Sequence, residues 1–539
     1  MTTQQSAAVP EEPVVELGKP DEFEQRPHRE IRMVMVGLVI TMLLAMLDNL
    51  IVGTAMPRIV GELNGAEHMS WVVTAYTLAT AASTPIWGKV GDLYGRKGSF
   101  LVSIAIFLLG SALSGMSQSM TQLIAFRAVQ GLGAGGLMVG VMSIMGALVP
   151  PRDRGKYQGM FAAVMALATV GGPLIGGFIT DHLNWRWTFY VNLPLGAIAL
   201  VFIVVVLKLP KVRSNAKIDY FGAALLTVGI VAAVLVTTWG GHEYAWGSKQ
   251  ILGLAALGVA SLIGFCYVEQ RVAEPVIPLQ LFRNRNFTMV SIIGFIVGFS
   301  MFGAVTFLPT YQQIVQGASA TNSGLLLMPM MFGMLVVSLA VGQAITKTGK
   351  YRIYPIIGTA VMAGGSLLLS TLAVDTGKFA SSCYMVVLGA GMGFLMQVTM
   401  LVAQNSVEMK DMGVASSSAT LFRTIGGSFG VALFGTLFVN QVNGSVKHLP
   451  PETLARMAQQ GGGGEGMSAM NPATMKSLPP EAVGAYQHGI ANGMHTVFLW
   501  GAVISVVAVA AALFIREVKL RGGADAAEAK AEAAMEGAL

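Results

Sequence analysis

The sequence predicts an all-α integral membrane protein, and three observations carry that expectation. Of 539 residues, 54% are hydrophobic and only 12% are charged, against roughly 25% charged in soluble domains. The apolar residues gather in runs of about 18 or more, the length a helix needs to cross a ~30 Å hydrocarbon core at 1.5 Å per residue. The net charge of +6 is spread in short clusters between those runs. A nucleic-acid surface would instead show a basic stripe interleaved with aromatics, so the clusters read as topology determinants and no nucleic-acid partner is expected.

Taken in order, the apolar runs place spans near 33–55, 70–88, 99–118, 121–147, 157–180, 187–207, 219–239, 249–268, 287–310, 322–346, 353–373, 380–404, 413–440 and 492–515. That makes fourteen transmembrane helices, and an even number puts both termini on one side. The tails and the loops on that side carry about 25 of the 34 basic residues, including Arg152, Arg154, Lys156, Lys347, Lys350 and Arg352, so both termini are expected to be cytoplasmic. Residues 1–32 are polar and rich in Pro and Glu, without a signal peptide's apolar core, and read as a cytoplasmic tail; 516–539 reads as a second one. The segment 441–491, with GGGG at 461–464 and a helix-compatible PETLARMAQQ, reads as an extracytoplasmic flap. Cys266 and Cys383 sit in apolar segments near opposite faces, too far apart for a disulfide.

A weak internal repeat divides the chain. GKVGDLYGRK at 88–97 follows the second span and GQAITKTGKYR at 342–352 follows the tenth, with equal spacing from Gly88 to Gly95 and from Gly342 to Gly349. Two six-helix bundles, 33–208 and 287–515, are therefore expected, with two inserted helices and their linkers over 209–286.

Asp48 is the only charge in the first span. A carboxyl there costs at least ~2.5 to 3.5 kcal/mol on insertion scales, so it marks a functional position facing a partner or a cavity. Arg127, in LIAFRAVQGLGAGG of the fourth span, cannot shed its charge and needs an anion, a carbonyl or water. Counting rise along the helices puts Asp48 about 22 Å above one face and Arg127 about 9 Å below the other. In a ~30 Å core the two depths agree within a few ångström, and the pair is expected to meet.

With these motifs assembled, the chain resembles the major facilitator superfamily, and within it the fourteen-helix branch of drug:proton antiporters. The loop after the second span, with Gly88, Asp92, Gly95, Arg96 and Lys97, resembles that superfamily's conformational latch, although Leu93 replaces a basic residue. ALATVGGPLIGG in the fifth span, with Gly172, Pro173, Gly176 and Gly177, is similar to the antiporter signature; Ala168 stands where a glycine is usual. LDNLIVGTAMP at 47–57 and WRWTFYVNLPLG at 185–196 resemble motifs of the same branch, the second read as an interfacial anchor. Gln397, Gln404, Asn405, Arg423 and His495 are polar candidates for a substrate cavity.

The resemblance implies a proton-coupled antiporter that exports hydrophobic or amphiphilic small molecules by alternating access, with Asp48 and Arg127 coupling the proton. Its partners would be the substrate, protons and the bilayer of a cytoplasmic membrane, and its unit a monomer. The alternatives are a proton-coupled importer or lipid or metabolite facilitator on the same fold, and a non-transporting membrane sensor. No GxxxxGK[ST] motif, catalytic triad or His/Cys cluster stands in the sequence, so no enzyme, metal site or cofactor is expected.

Overall fold

A computed structural model describes residues 28–63, 68–149, 151–207, 218–240, 244–272, 274–318, 325–408, 411–450, 452–454, 478–518 and 520. The tails 1–27 and 521–539, and residues 451 and 455–477 of the 441–491 segment, lie outside the described residues. All regular structure among the described residues is helical. In chain order the helices are α1 (His28–Leu63), α2 (Met69–Tyr94), α3 (Arg96–Met116), α4 (Met120–Leu148), α5 (Pro151–His182), the one-turn α6 (Trp187–Tyr190) and α7 (Asn192–Val206). There follow α8 (Tyr220–Trp239), α9 (Lys249–Glu269), α10 (Arg285–Ile314), α11 (Met328–Thr348), α12 (Ile353–Ser370), α13 (Lys378–Asn405), α14 (Met412–Lys447) and α15 (Pro480–Leu513).

Among the described residues, 12 helices are long and apolar enough to cross a membrane. The expected fourteen differ from these by α2 and α5, which are 26 and 32 residues long but carry Thr, Ser, Gly and charged residues where the others carry Leu and Val. Packing supplies the reason. α2 lies against α14, and α5 lies against α11, so each turns one side to protein across the middle of the molecule and needs less lipid-compatible surface.

Two large apolar cores flank that seam. One draws on α1, α3, α4, α5 and α7 through residues such as Leu38, Phe100, Phe107, Ile144 and Ile203. The other draws on α10 to α15 through Phe287, Phe307, Met330, Met392, Phe438 and Met494. Three methionines of the second core at the start of α11, Met330, Met331 and Met334, are at most 3% exposed and pack inside the bundle. α8 belongs to neither core. It meets both α2 and α14 in a third cluster that joins Leu78 and Ala81 to Leu226, Ile230, Val414 and Leu421.

Several helices outrun the spans expected from apolarity. α14 continues to Lys447 and α15 begins at Pro480, so the 441–491 flap is shorter than the sequence pattern implies. A helix need not stop where the bilayer does when its extension is packed. Here Val442, Ala482, Tyr486 and Ile490 continue the second core outward, and Thr453 donates to Glu481 at 3.0 Å. Gly95 after α2 and Gly349 after α11 both take positive φ, at 99° and 69°, with ψ of 130° and −1°. Glycine enters that region without the steric cost a Cβ brings. Cys266 and Cys383 are free.

Candidate functional site

The first bundle closes on one buried polar cluster. Asp48 of α1 is 0% exposed, and so is Arg127 of α4. Arg127 Nη1 donates to Asp48 Oδ2 at 2.6 Å. The other carboxylate oxygen, Oδ1, accepts from Gln130 Nε2 at 2.7 Å and from Asn192 Nδ2 at 2.6 Å. Arg127 Nη1 also donates to Gln130 Oε1 at 2.9 Å. Asn192 Nδ2 reaches Ser111 Oγ at 3.0 Å, and that hydroxyl donates to the Phe189 carbonyl at 2.9 Å. Three donors and no acceptor face the carboxylate, a set matched to its anionic form. The guanidinium stands 4.1 Å from the centroid of the Tyr76 ring, a cation–π contact that offsets part of its desolvation. Its Nε and Nη2 have no hydrogen-bond partner among the described residues.

Local sequence explains the assembly. Arg127 and Gln130 are i and i+3 on α4, hence on one helical face. Glycines let the neighbouring helices come close enough to enclose them: a Cβ on Gly131 would fall 2.9 Å from that of Ala79, and one on Gly110 would fall 2.5 Å from the Gln130 Cα. Asn192 opens α7 after the one-turn α6. Gln130, Asn192, Ser111 and Tyr76 were not among the sequence candidates. Gln130 and Asn192 lie within the two motifs already singled out, and a buried amide two or three residues from a charged or aromatic motif position is the signal that identifies them.

The motif WRWTFYVNLPLG therefore does two things. Its Asn192 completes the acid cluster, while its first residues tie α1 to the end of α3. Trp185 is 1% exposed, a buried residue rather than an interfacial belt residue, because its Nε1 donates to Glu62 Oε2 at 2.8 Å. Arg186 pairs with Glu62 at 2.5 Å and donates to the Ser117 carbonyl at 3.2 Å. The Arg186 guanidinium beside Glu62 holds that carboxyl below its usual range.

On the face where the chain enters α1, the N-terminal face, Asp92 and Gly88 at the end of α2 reach across the seam to α14. Asp92 accepts from the Gly413 and Val414 backbone N–H groups at 3.1 and 2.9 Å. Those are the first free N–H groups of α14, where the helix macrodipole favours an anion. Arg96 braces the same carboxylate at 3.1 Å. A Cβ on Gly88 would fall 2.7 Å from that of Ser417 and 2.8 Å from the Gly413 carbonyl oxygen, so glycine is what lets α2 and α14 touch. Lys97 donates instead to the Val204 carbonyl at 2.9 Å, and Gly95 supplies the positive-φ turn. On the same face, Arg154 donates to the Val149 carbonyl at 2.9 Å and to Gln404 Oε1 at 3.1 Å. Gln404 Nε2 in turn donates to Ser416 Oγ at 2.9 Å.

The remaining candidates are dispersed. Gly172 and Gly176 press against Leu50, Ile51 and Thr54 of α1, within two turns of Asp48, whereas a Cβ on Gly177 would meet nothing within 4 Å. The side chain of Pro173 lies outside the described residues. Gln397 donates to Ser338 Oγ at 2.5 Å between α13 and α11. Asn405 lines a pocket on the N-terminal face. His495 lines another on the opposite face and donates from Nδ1 to the Ser370 carbonyl at 2.8 Å. Arg423 of α14 comes close to α10 through its backbone: a Cβ on Gly298 would meet the Arg423 carbonyl. These residues share no cluster with Asp48. Among the described residues no group of His, Cys, Asp and Glu could hold a metal ion.

A polytopic helical membrane protein with two cores, a seam carried by α2, α5, α11 and α14, and a sealed carboxylate–guanidinium pair is a transporter scaffold rather than an enzyme. The chain belongs to the Major Facilitator Superfamily, whose family model it matches over residues 38–431. It is 39% identical over 507 residues to the multidrug transporter protein MdtP of Bacillus subtilis, covering 90% of this chain and 93% of that one. It is 35% identical over 498 residues to multidrug resistance protein 3 of the same organism, covering 92% and 97%. The human organic anion transporter MFSD10 shares the fold at a TM-score of 0.60 and 13% identity, covering 90% of this chain and all of that one. The proton:xylose symporter XylE does so at 0.57 and 13% identity, over 90% and 95%.

Proposed function

We propose that this protein is a proton-coupled antiporter that exports hydrophobic or amphiphilic small molecules by alternating access, with Asp48 as the proton carrier. The carrying observation is the sealed Asp48–Arg127 pair, enclosed at 0% exposure with every contact to the acid coming from a donor. Protonating Asp48 removes the charge that holds Arg127 and turns one of those donor contacts into a donor–donor clash. The cluster then has two arrangements, which is what coupling requires. Two relatives are named as a multidrug transporter and a multidrug resistance protein, and we assign drug-like molecules as the exported class for this chain.

In this reading fourteen helices span a cytoplasmic membrane, α2 and α5 included, and both termini are cytoplasmic. Residues 33–208 and 287–515 are the two rocking bundles of a monomer, and 209–286 the inserted pair. The N-terminal face is then cytoplasmic, and the Asp92–α14 and Arg154–Gln404 contacts close the seam on that side. Gly88, Asp92, Gly95 and Arg96 act as the latch, with Lys97 holding α3 to α7. Gly172 and Gly176 of the antiporter helix let α5 slide on the Asp48-bearing helix.

The test is transport in proteoliposomes with and without a pH gradient, comparing the native protein with Asp48→Asn. Gradient-driven accumulation is expected to vanish while downhill substrate exchange persists. Undiminished gradient-driven transport by Asp48→Asn removes Asp48 from the coupling.

A further inference from the structure

The ends of three helices meet on the N-terminal face in a pocket that has no part in the Asp48 cluster. Its walls are Asn284, Arg285 and Asn286 at the start of α10, Asn405 to Glu408 at the end of α13, and Arg516 and Val518 just past α15; its volume is about 470 Å³. The walls are tied to one another. Asn284 Nδ2 donates to the Ser406 carbonyl at 3.0 Å. Asn286 and Arg516 exchange two bonds, Nδ2 to the Arg516 carbonyl and the Arg516 N–H to Oδ1, both at 2.8 Å. The Val518 N–H donates to the Tyr351 hydroxyl at 2.9 Å.

This framework uses only the backbone of Arg516 and leaves its guanidinium unused. Among the described residues neither the Arg285 nor the Arg516 guanidinium has an ion pair or hydrogen bond; Arg285 stands 5.0 Å from the Phe514 ring centroid. The acid of the wall, Glu408, is itself partnered. Asn405 Oδ1 is buried and receives no hydrogen bond. Two guanidiniums against one carboxylate leave the pocket one positive charge in excess, and the orphaned oxygen calls for a donor beside that charge.

Depth narrows the ligand further. α10 begins at Arg285 and α15 ends at Leu513, where their apolar spans end, so the pocket lies at the level of lipid headgroups. Phe514 and Val518, 54% and 49% exposed, flank it with apolar surface. A phosphodiester offers oxygens to two guanidiniums at once.

We propose that this pocket binds an anionic phospholipid of the phosphatidylglycerol type, its phosphate between Arg285 and Arg516 and a headgroup hydroxyl donating to Asn405 Oδ1. The site does not depend on the antiport reading, and its test reads binding alone. Purified, delipidated full-length protein is titrated in detergent with phosphatidylglycerol, phosphatidylcholine, phosphatidylmethanol and glycerol 1-phosphate, and bound lipid is counted by native mass spectrometry. The native protein is expected to retain phosphatidylglycerol about tenfold more tightly than phosphatidylcholine. In the Arg285→Gln/Arg516→Gln double variant that preference falls to about twofold or less, with phosphatidylcholine retention and the lipid-free unfolding midpoint unchanged. Arg285→Lys/Arg516→Lys keeps part of it, and Asn405→Leu removes the preference for phosphatidylglycerol over phosphatidylmethanol. No preference in the native protein, or a preference untouched by the double Gln variant, overturns the proposal. Displacement of the lipid by equimolar glycerol 1-phosphate overturns it too, by assigning the pocket to a soluble phosphate compound.

Discussion

Replacing Asp48 by Asn keeps the shape of the side chain and removes its charge. In the native cluster one oxygen accepts from two amides and the other from Arg127. An asparagine has only one acceptor end. If that end serves Gln130 and Asn192, the new NH2 faces a guanidinium donor; if it serves Arg127, the NH2 faces two amide donors. Either way a charge-assisted bond worth about 1.5–3 kcal/mol is lost and a fully buried guanidinium is left without its counter-ion. Breaking one partner of a buried pair in this way costs about 3–5 kcal/mol. Removing both partners by Asp48→Asn with Arg127→Leu takes away the unpaired charge, so the double variant should be more stable than Asp48→Asn alone. The assay is a double-mutant cycle on unfolding in detergent, in which the pair should show a coupling energy of at least about 2 kcal/mol. The same proteins are then assayed for gradient-driven transport, which both variants should lack. Additive unfolding energies, with coupling below about 0.5 kcal/mol, would refute the view that these two charges stabilise one another inside the bundle.

Three further outcomes follow from the same structure. Gly88→Val places side-chain atoms where Ser417 and the Gly413 carbonyl now lie, so spin labels across the seam on the N-terminal face should report longer distances, while Gly177→Ala, which meets nothing, should leave them unchanged. Asn192→Leu removes bonds to Asp48 and Ser111; it should cost roughly 1–3 kcal/mol in unfolding and lower gradient-driven transport more than downhill exchange. The Glu62 carboxyl is held below its ordinary 4.5 by Arg186, so its contribution is present above pH 4.5 and is lost as pH falls through the lowered value. Trp185 fluorescence should change in that acidic window and should not change there in Glu62→Gln.

Much of this architecture is written in hydropathy. The long apolar runs placed the helices because lipid demands about 20 apolar residues from any helix it surrounds, and the cost of a charge in such a run singled out Asp48 and Arg127. Counting rise along two helices was enough to expect them at one depth, since α-helical rise is nearly constant; the structure sets them 2.6 Å apart. Periodicity was less informative for α2 and α5, whose partners are protein, and for the outer ends of α14 and α15, which are stabilised by one another rather than by lipid.

What the amino-acid sequence by itself determined is therefore the membrane-spanning class, the order of the helices, and the two charges too costly to be incidental. Tertiary structure alone decided which neutral side chains complete the cluster. Gln130, Asn192 and Ser111 are inexpensive residues whose importance arises only when three helices bring the two amides to one carboxylate and the hydroxyl to Asn192. It also separated candidates that looked alike in sequence: Gln404 and Asn405 are adjacent on α13, yet one bonds across the seam to Arg154 and the other faces a pocket between three helix ends. The physical reason is the same in both cases. The energy of a polar group depends on what surrounds it, and its surroundings come from distant parts of the chain.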